Sequence, residues 1–156
     1  IKNKLNLNDF DYIISKRQKT IDLYKSFFNQ LEHEGYLTNM QIRSNVYCVY
    51  LYYPIILYED AADFVEFMAQ NNIACRRYYT AVHDLRFYEN KFFCHARLSC
   101  DCRNYFCEEQ IGLEYTNSIK DRIVSLPLHT EMSDDEINYL FEKITLYFKN
   151  EGIVSE

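Results

Sequence analysis

Apolar residues recur at three- and four-residue spacing over residues 8–34. Phe10, Ile13, Ile14, Ile21, Tyr24, Phe28 and Leu31 fall on one stripe, with Arg17 among them. That period predicts an amphipathic helix, unusually long, with one end reaching beyond a compact body. Asn8 suits its N-cap, Asp9 and Asp11 suit the positive end of its dipole, and Gly35 suits its stop. Residues 45–58 follow another rule. Val46, Cys48, Tyr50 and Tyr52 alternate with Tyr47, Val49, Leu51 and Tyr53, which predicts a strand bent at Pro54 and bulky on both faces. Such a strand is covered on both sides, or on one side by another domain.

Asp60 opens a second helix that runs through Asn71, with Phe64, Val65, Phe67 and Met68 on its apolar side. A strand over residues 73–79 follows. Residues 80–112 mix charges, aromatics and cysteines without a clean period and read mostly as loop or short helical turns. A short helix over 113–122 and a strand over 123–126, ended by Pro127, come next. Ser133 and Glu136 form a capping box. The helix behind it carries Ile137, Leu140, Phe141, Ile144 and Phe148 on one stripe, and Gly152 stops it. This order predicts an α/β (α+β) fold: a small sheet of about three strands with helices packed on it.

The segment NNIACRRYYTAVHDLRFY (71–88) concentrates candidate chemistry. Alternation places Ile73, Cys75, Arg77 and Tyr79 on one face, and Ala74, Arg76 and Tyr78 on the other. At least one arginine therefore shares a face with core-type residues. A buried guanidinium is costly unless it meets a carboxylate, a phosphate or a ligand. The segment reads as the rim of an anion or polar-ligand site, with His83 beyond it. The competing explanation is an ion pair within the fold. No residue beside it supplies covalent chemistry.

Composition narrows the class. At 156 residues with 48% hydrophobic content, the chain suits one folded domain rather than a disordered segment. Three glycines and two prolines disfavour glycine-rich phosphate loops and flexible linkers. A net charge of −6 argues against nonspecific nucleic-acid binding. No apolar run reaches the roughly twenty residues of a membrane span, and no export signal is visible, so a reducing, cytoplasmic compartment is expected. The first residue is not methionine, which suggests a fragment or a processed chain.

Cys94, His95, Cys100, Cys102 and Cys107 invite a zinc reading, but the C-H-x4-C-x-C-x4-C spacing lacks paired CxxC knuckles, so no metal ligand is assigned. The acidic run at residues 131–136 is explained by a helix N-terminus.

Three segments together resemble one family: NLNDFDYIISKRQKTIDLYKSFF, the 71–88 segment, and IVSLPLHTEMSDDEINYLFEKI. In this order they are similar to the C-terminal part of the DegT/StrS family of pyridoxal-phosphate-dependent sugar aminotransferases, over nearly the whole chain. The resemblance implies a mostly antiparallel small domain. It divides the chain into a helix over 1–35, leading from a missing large domain, and a small C-terminal domain over 36–156. It implies transfer of an amino group from an amino acid such as glutamate to a nucleotide-linked keto-sugar, closest to the dTDP-linked keto-6-deoxy sugars. The complete protein would hold pyridoxal phosphate and form a homodimer.

Arg76, Arg77, Tyr78, Tyr79 and His83 would contact substrate. The Schiff-base lysine of the family has no match: Lys16, Lys19, Lys25, Lys91, Lys120, Lys143 and Lys149 read as solvated charges, so no catalytic or cofactor-binding residue is assigned. At Thr80–Ala81 the family often has proline, and the 93–107 cysteine segment has no counterpart. Two alternatives stand beside this reading: a stand-alone binding module with the same fold, and a small zinc-stabilised domain.

Overall fold

The structure is a computed structural model of the 156-residue chain, and it describes residues 7–77, 80–87 and 113–150. The long stripe forms helix α1, Leu7–His33. Its apolar face is used unevenly. Ile21, Tyr24, Phe28 and Leu31 are buried, whereas Phe10 and Tyr12 are more than half exposed. Gly35 ends the helix with φ +83, a conformation that glycine adopts without a Cβ penalty. There the Tyr36 N–H returns to the Leu31 carbonyl at 3.0 Å.

Strand β1, Leu37–Asn39, was not foreseen; three residues are too few to show a period. It is anchored through Asn39, which is buried. The Asn39 backbone N–H donates to Glu32 Oε1 at 3.0 Å, and its Nδ2 donates to Asn29 Oδ1 at 3.2 Å.

The strand expected over 45–58 is shorter. Strand β2 spans only Tyr53–Leu57. Val46, Tyr47, Val49 and Leu51 are exposed, and of the preceding tyrosines Tyr50 alone is buried. The partner strand β1 matches Ile55 to Leu57 and ends there. Residues 45–52 thus have no ladder on that side, and alternation alone does not make a strand without a partner for its backbone groups.

Helix α2, Ala62–Gln70, begins where Asp60 Oδ1 accepts the Ala62 N–H at 2.8 Å. Strand β3 is Arg76–Arg77, the 3-10 turn is Val82–Asp84, helix α3 is Glu114–Ile119, strand β4 is Ile123–Leu126 and helix α4 is Asp134–Asn150. The described strands form one sheet in the order β1-β2-β4-β3, antiparallel throughout. It has one strand more than the sequence suggested. Of the strand expected over 73–79, the described part is Arg76–Arg77; Tyr78 and Tyr79 lie outside the described residues, as does the Gly152 stop.

One face of the sheet presents Tyr53, Ile55, Leu57, Val124 and Leu126 to the helices. An aromatic cluster fills the centre. The Tyr24 and Tyr53 rings meet edge-on at 5.1 Å, Phe28 stacks on Tyr53 at 5.4 Å, and Phe27 stacks on Phe141 at 4.0 Å. The Tyr24 hydroxyl donates to the Pro127 carbonyl at 2.7 Å, so its one polar atom is satisfied inside the core. Phe64 of α2 meets Tyr147 of α4 edge-on at 5.0 Å, which closes the second helical layer.

The capping box is formed. The Ser133 N–H donates to Glu136 Oε2 at 2.8 Å, and the Glu136 N–H donates to Ser133 Oγ at 3.2 Å. These bonds from the Ser133 backbone and hydroxyl hold the Glu136 carboxyl below its ordinary value of 4.5. Ser133→Ala is expected to destabilise the fold by about 1 kcal/mol in urea titrations at neutral pH. A lowered folded pKa gives a contribution present above the unfolded value and lost as pH falls through the folded one. The difference between the two proteins should therefore narrow below pH about 4; a gap that widens in acid would contradict this account.

Candidate functional site

Of the sequence-predicted residues the structure describes Arg76, Arg77 and His83, and three elements position them. The turn after α2 passes through Asn72 at φ +59, a left-handed conformation that asparagine tolerates. Ile73 and Cys75 then anchor the chain in the core. Burial pushes the Cys75 thiol from its ordinary 9.0 up to about 12, so it is an inert core thiol.

Arg76 and Arg77 follow on the edge strand β3, paired with Ser125 and Val124 of β4. Arg77 does share a face with core residues, since it stands opposite Val124. Neither arginine is buried, however. Among the described strands β3 lies at the edge of the sheet, and the Arg77 side chain is 40% exposed. It donates from Nη2 to Asp121 Oδ1 at 2.6 Å and lies 3.6 Å from Asp60 Oδ1. Asp60 precedes α2 and Asp121 precedes β4. The Ala61 N–H also bonds the Asp121 carbonyl at 3.0 Å, so Arg77 clips two loops that already touch. Arg76 is exposed and makes no ion pair or hydrogen bond among the described residues.

His83 lies in the 3-10 turn. Its Nε2 is 2.7 Å from Asn117 Oδ1 and 3.4 Å from Asp84 Oδ1, and its side chain is 9% exposed. Lys120 Nζ donates to Asp84 Oδ2 at 2.7 Å with the side chain 24% exposed. Lys120 is therefore half-covered and paired, where the sequence suggests a solvated charge. Lys143, whose Nζ donates to Glu142 at 2.9 Å, is covered too, at 17% exposure. Asn117, Lys120 and Asp121 carry no motif in the sequence; only folding brings them beside the arginine strand.

Two hollows meet here. A polar recess of about 190 Å³ is lined by Arg77, Thr80, Ala81, Asp84, Lys120 and Asp121. A larger, mainly apolar cavity of about 560 Å³ lies on the sheet face away from the core, between residues 48–52 and Pro54, Ile123 and Ser125, and the wall formed by Thr116 and Ile119. Ala81 and Lys120 line both. No cluster of three or more His, Cys, Asp or Glu side chains suited to a metal occurs among the described residues. The 94–107 cysteine group lies outside them.

A four-stranded antiparallel sheet with a long leading helix and a long closing helix is an architecture shared with sugar aminotransferases of known structure. The putative sugar aminotransferase Spr1654 from Streptococcus pneumoniae, seen in apo and PMP forms, superposes with a TM-score of 0.67 at 19% identity over 92% of this chain and 33% of its own. The sugar aminotransferase CalS13 from Micromonospora echinospora gives 0.66 at 15% identity, over 90% and 32%. Helicobacter pylori PseC, an aminotransferase involved in the biosynthesis of pseudoaminic acid, gives 0.64 at 14% identity, over 92% and 35%.

Residues 4–145 match the DegT/DnrJ/EryC1/StrS aminotransferase family, and the chain belongs to it. It spans about a third of the length of these structures. No curated protein matches it.

Aminotransferases of this family depend on pyridoxal phosphate. The described residues do not fit that group. Its chemistry needs a lysine amine free to act as nucleophile. Lys120, the lysine that lines the cavities, is engaged by Asp84, donating from Nζ to Oδ2 at 2.7 Å.

Proposed function

We propose that this chain is the small C-terminal domain of a pyridoxal-phosphate-dependent sugar aminotransferase. It contributes substrate contacts and leaves the cofactor lysine to a larger domain. The observation that carries the reading is the family match over residues 4–145 in a chain a third as long as the matched structures. Two features support it. The first turns of α1 carry exposed Phe10 and Tyr12, as expected of a helix over 1–35 leading from another domain. Val46, Tyr47, Val49 and Leu51 are exposed, Val49 and Leu51 line the cavity, and together they offer an apolar surface suited to cover.

In this reading the segment 76–83, with Arg76, Arg77, Tyr78, Tyr79 and His83, faces a nucleotide-linked keto-sugar. An amino acid, glutamate by preference, supplies the amine. The complete protein works as a cytoplasmic homodimer. Among the described residues no helix is long and apolar enough to cross a membrane.

The test is to incubate the chain with pyridoxal phosphate, reduce with borohydride and map any labelled lysine by mass spectrometry. Only weak, scattered labelling is expected. Stoichiometric, site-specific labelling of one lysine would sink the view that the cofactor lysine lies elsewhere.

A further inference from the structure

We propose that the cavity of about 560 Å³ on the outer sheet face binds a small neutral molecule, a compact aliphatic body with one hydroxyl or carbonyl that pairs with Ser125. The site is apart from the arginine segment, since neither Arg76 nor Arg77 lines it. It goes beyond the aminotransferase reading and needs neither the cofactor nor the sugar substrate of that reading.

Alternation along β4 sets the polar group. Val124 and Leu126 turn to the core, so Ser125 between them turns to the other face. A serine on that face would ordinarily be wet, yet Ser125 is 3% exposed. Pro54 stands opposite it on β2, and residues 48–52 wall the same cavity. The Ser125 Oγ is buried with no hydrogen-bond partner among the described residues. A buried hydroxyl left unpaired is a cost to the fold. A ligand hydroxyl or carbonyl in the cavity supplies the missing bond, because a serine both donates and accepts.

The wall sets the body. Met40, Val49, Leu51, Pro54, Ile119 and Ile123 give it a largely aliphatic surface. Apolar walls with a few convergent polar groups are the usual make-up of a small-molecule site. Charge then decides the class. Among the described residues of the lining only Lys120 is charged, and its Nζ already donates to Asp84 at 2.7 Å. An anion would have to compete with Asp84 inside a chain of net charge −6. A cation finds no carboxylate in the described wall. Burying either charge without a partner is costly, and a neutral guest avoids that cost.

The experiment titrates the 156-residue chain with adamantanol, adamantanecarboxylate and adamantylammonium by calorimetry at neutral pH. The three share one aliphatic body and differ in charge. Adamantanol should bind with a dissociation constant of about 1 mM or below, about tenfold more tightly than either ion. Cys48 lines the cavity as a partly buried free thiol. Saturating adamantanol should slow its alkylation by iodoacetamide by about threefold or more, read on the Cys48 peptide by mass spectrometry. Ser125→Ala should weaken adamantanol by about three- to tenfold and leave the melting temperature unchanged or higher, since the variant removes an unpaired hydroxyl. Phe10 is exposed apolar surface outside the lining, so Phe10→Ala should leave the affinity unchanged.

No binding of adamantanol at about 1 mM overturns the proposal. So does a carboxylate or ammonium relative that binds as tightly, full affinity in Ser125→Ala, or Cys48 alkylation unchanged at saturation. If Ser125→Ala does not fold, the Cys48 protection on the unaltered chain still decides.

Discussion

Phe28→Ala is expected to lower the stability of the fold by about 3–5 kcal/mol, a large part of the about 5–15 kcal/mol typical of a domain. Phe28 is fully buried. Its ring stacks on Tyr53 of the sheet and meets Tyr24 edge-on at 6.0 Å and Phe141 edge-on at 6.4 Å. Truncation removes the contacts that join α1, β2 and α4, and the large rings around the gap cannot close it without leaving their rotamers. Urea unfolding followed by circular dichroism measures the loss. A cost under about 1 kcal/mol would mean that the aromatic cluster is not the centre of the core. Phe10→Ala on the same helix is the contrast: its ring is mostly exposed, and the expected change lies within about 0.5 kcal/mol.

The second large effect is alkaline unfolding. Tyr24, Tyr53 and Cys75 are buried and neutral, and burial raises all three above their ordinary values of 10.0, 10.0 and 9.0. Each folded value lies above the unfolded one. The stabilisation is therefore complete below pH about 9 and is lost as pH rises through the unfolded values toward the folded ones. Cooperative loss of structure is expected between pH about 10 and 12. Ultraviolet titration should show exposed tyrosines ionising first, and a final group ionising together with the loss of circular dichroism. If every tyrosine ionises near its ordinary pKa while the dichroism persists, the burial of Tyr24 and Tyr53 is misjudged. Tyr24→Phe removes one titrating group but also the bond to the Pro127 carbonyl. It should lower stability at pH 7 and lessen its dependence on alkali.

The main helices were legible in the sequence because local signals carry them. The stripe from Ile21 to Leu31, the glycine at 35 and the Ser133–Glu136 box each act over a few residues, and the structure places the corresponding ends close to where these signals stand. The strands were less legible because a strand needs a partner. Residues 45–52 alternate as a strand should and remain outside the sheet, whereas Leu37–Asn39 shows no pattern and joins it.

The site divides the same way. Arg76, Arg77 and His83 could be singled out by residue type and by the family resemblance. What each of them meets could not. Asp121 is 44 residues from Arg77, and Asn117 is 34 residues from His83. Lys120 looked like any surface lysine until α3 was set against the 3-10 turn. The buried hydroxyl of Ser125, without a hydrogen-bond partner among the described residues, left no trace in the sequence, since its burial depends on how the strands meet.

The uneven use of α1 has a mechanical meaning. Ile21, Tyr24, Phe28 and Leu31 grip the core and make the second half of the helix a rooted shaft. From Leu7 to Thr20 the shaft runs on for about 20 Å at 1.5 Å per residue. Arg17 braces it partway, donating from Nη1 to the Tyr50 carbonyl at 3.2 Å. A rotation of about 5° at the root moves the tip by roughly 2 Å over that length. A displacement at the tip is thus several times the shift among the four core side chains that would produce it.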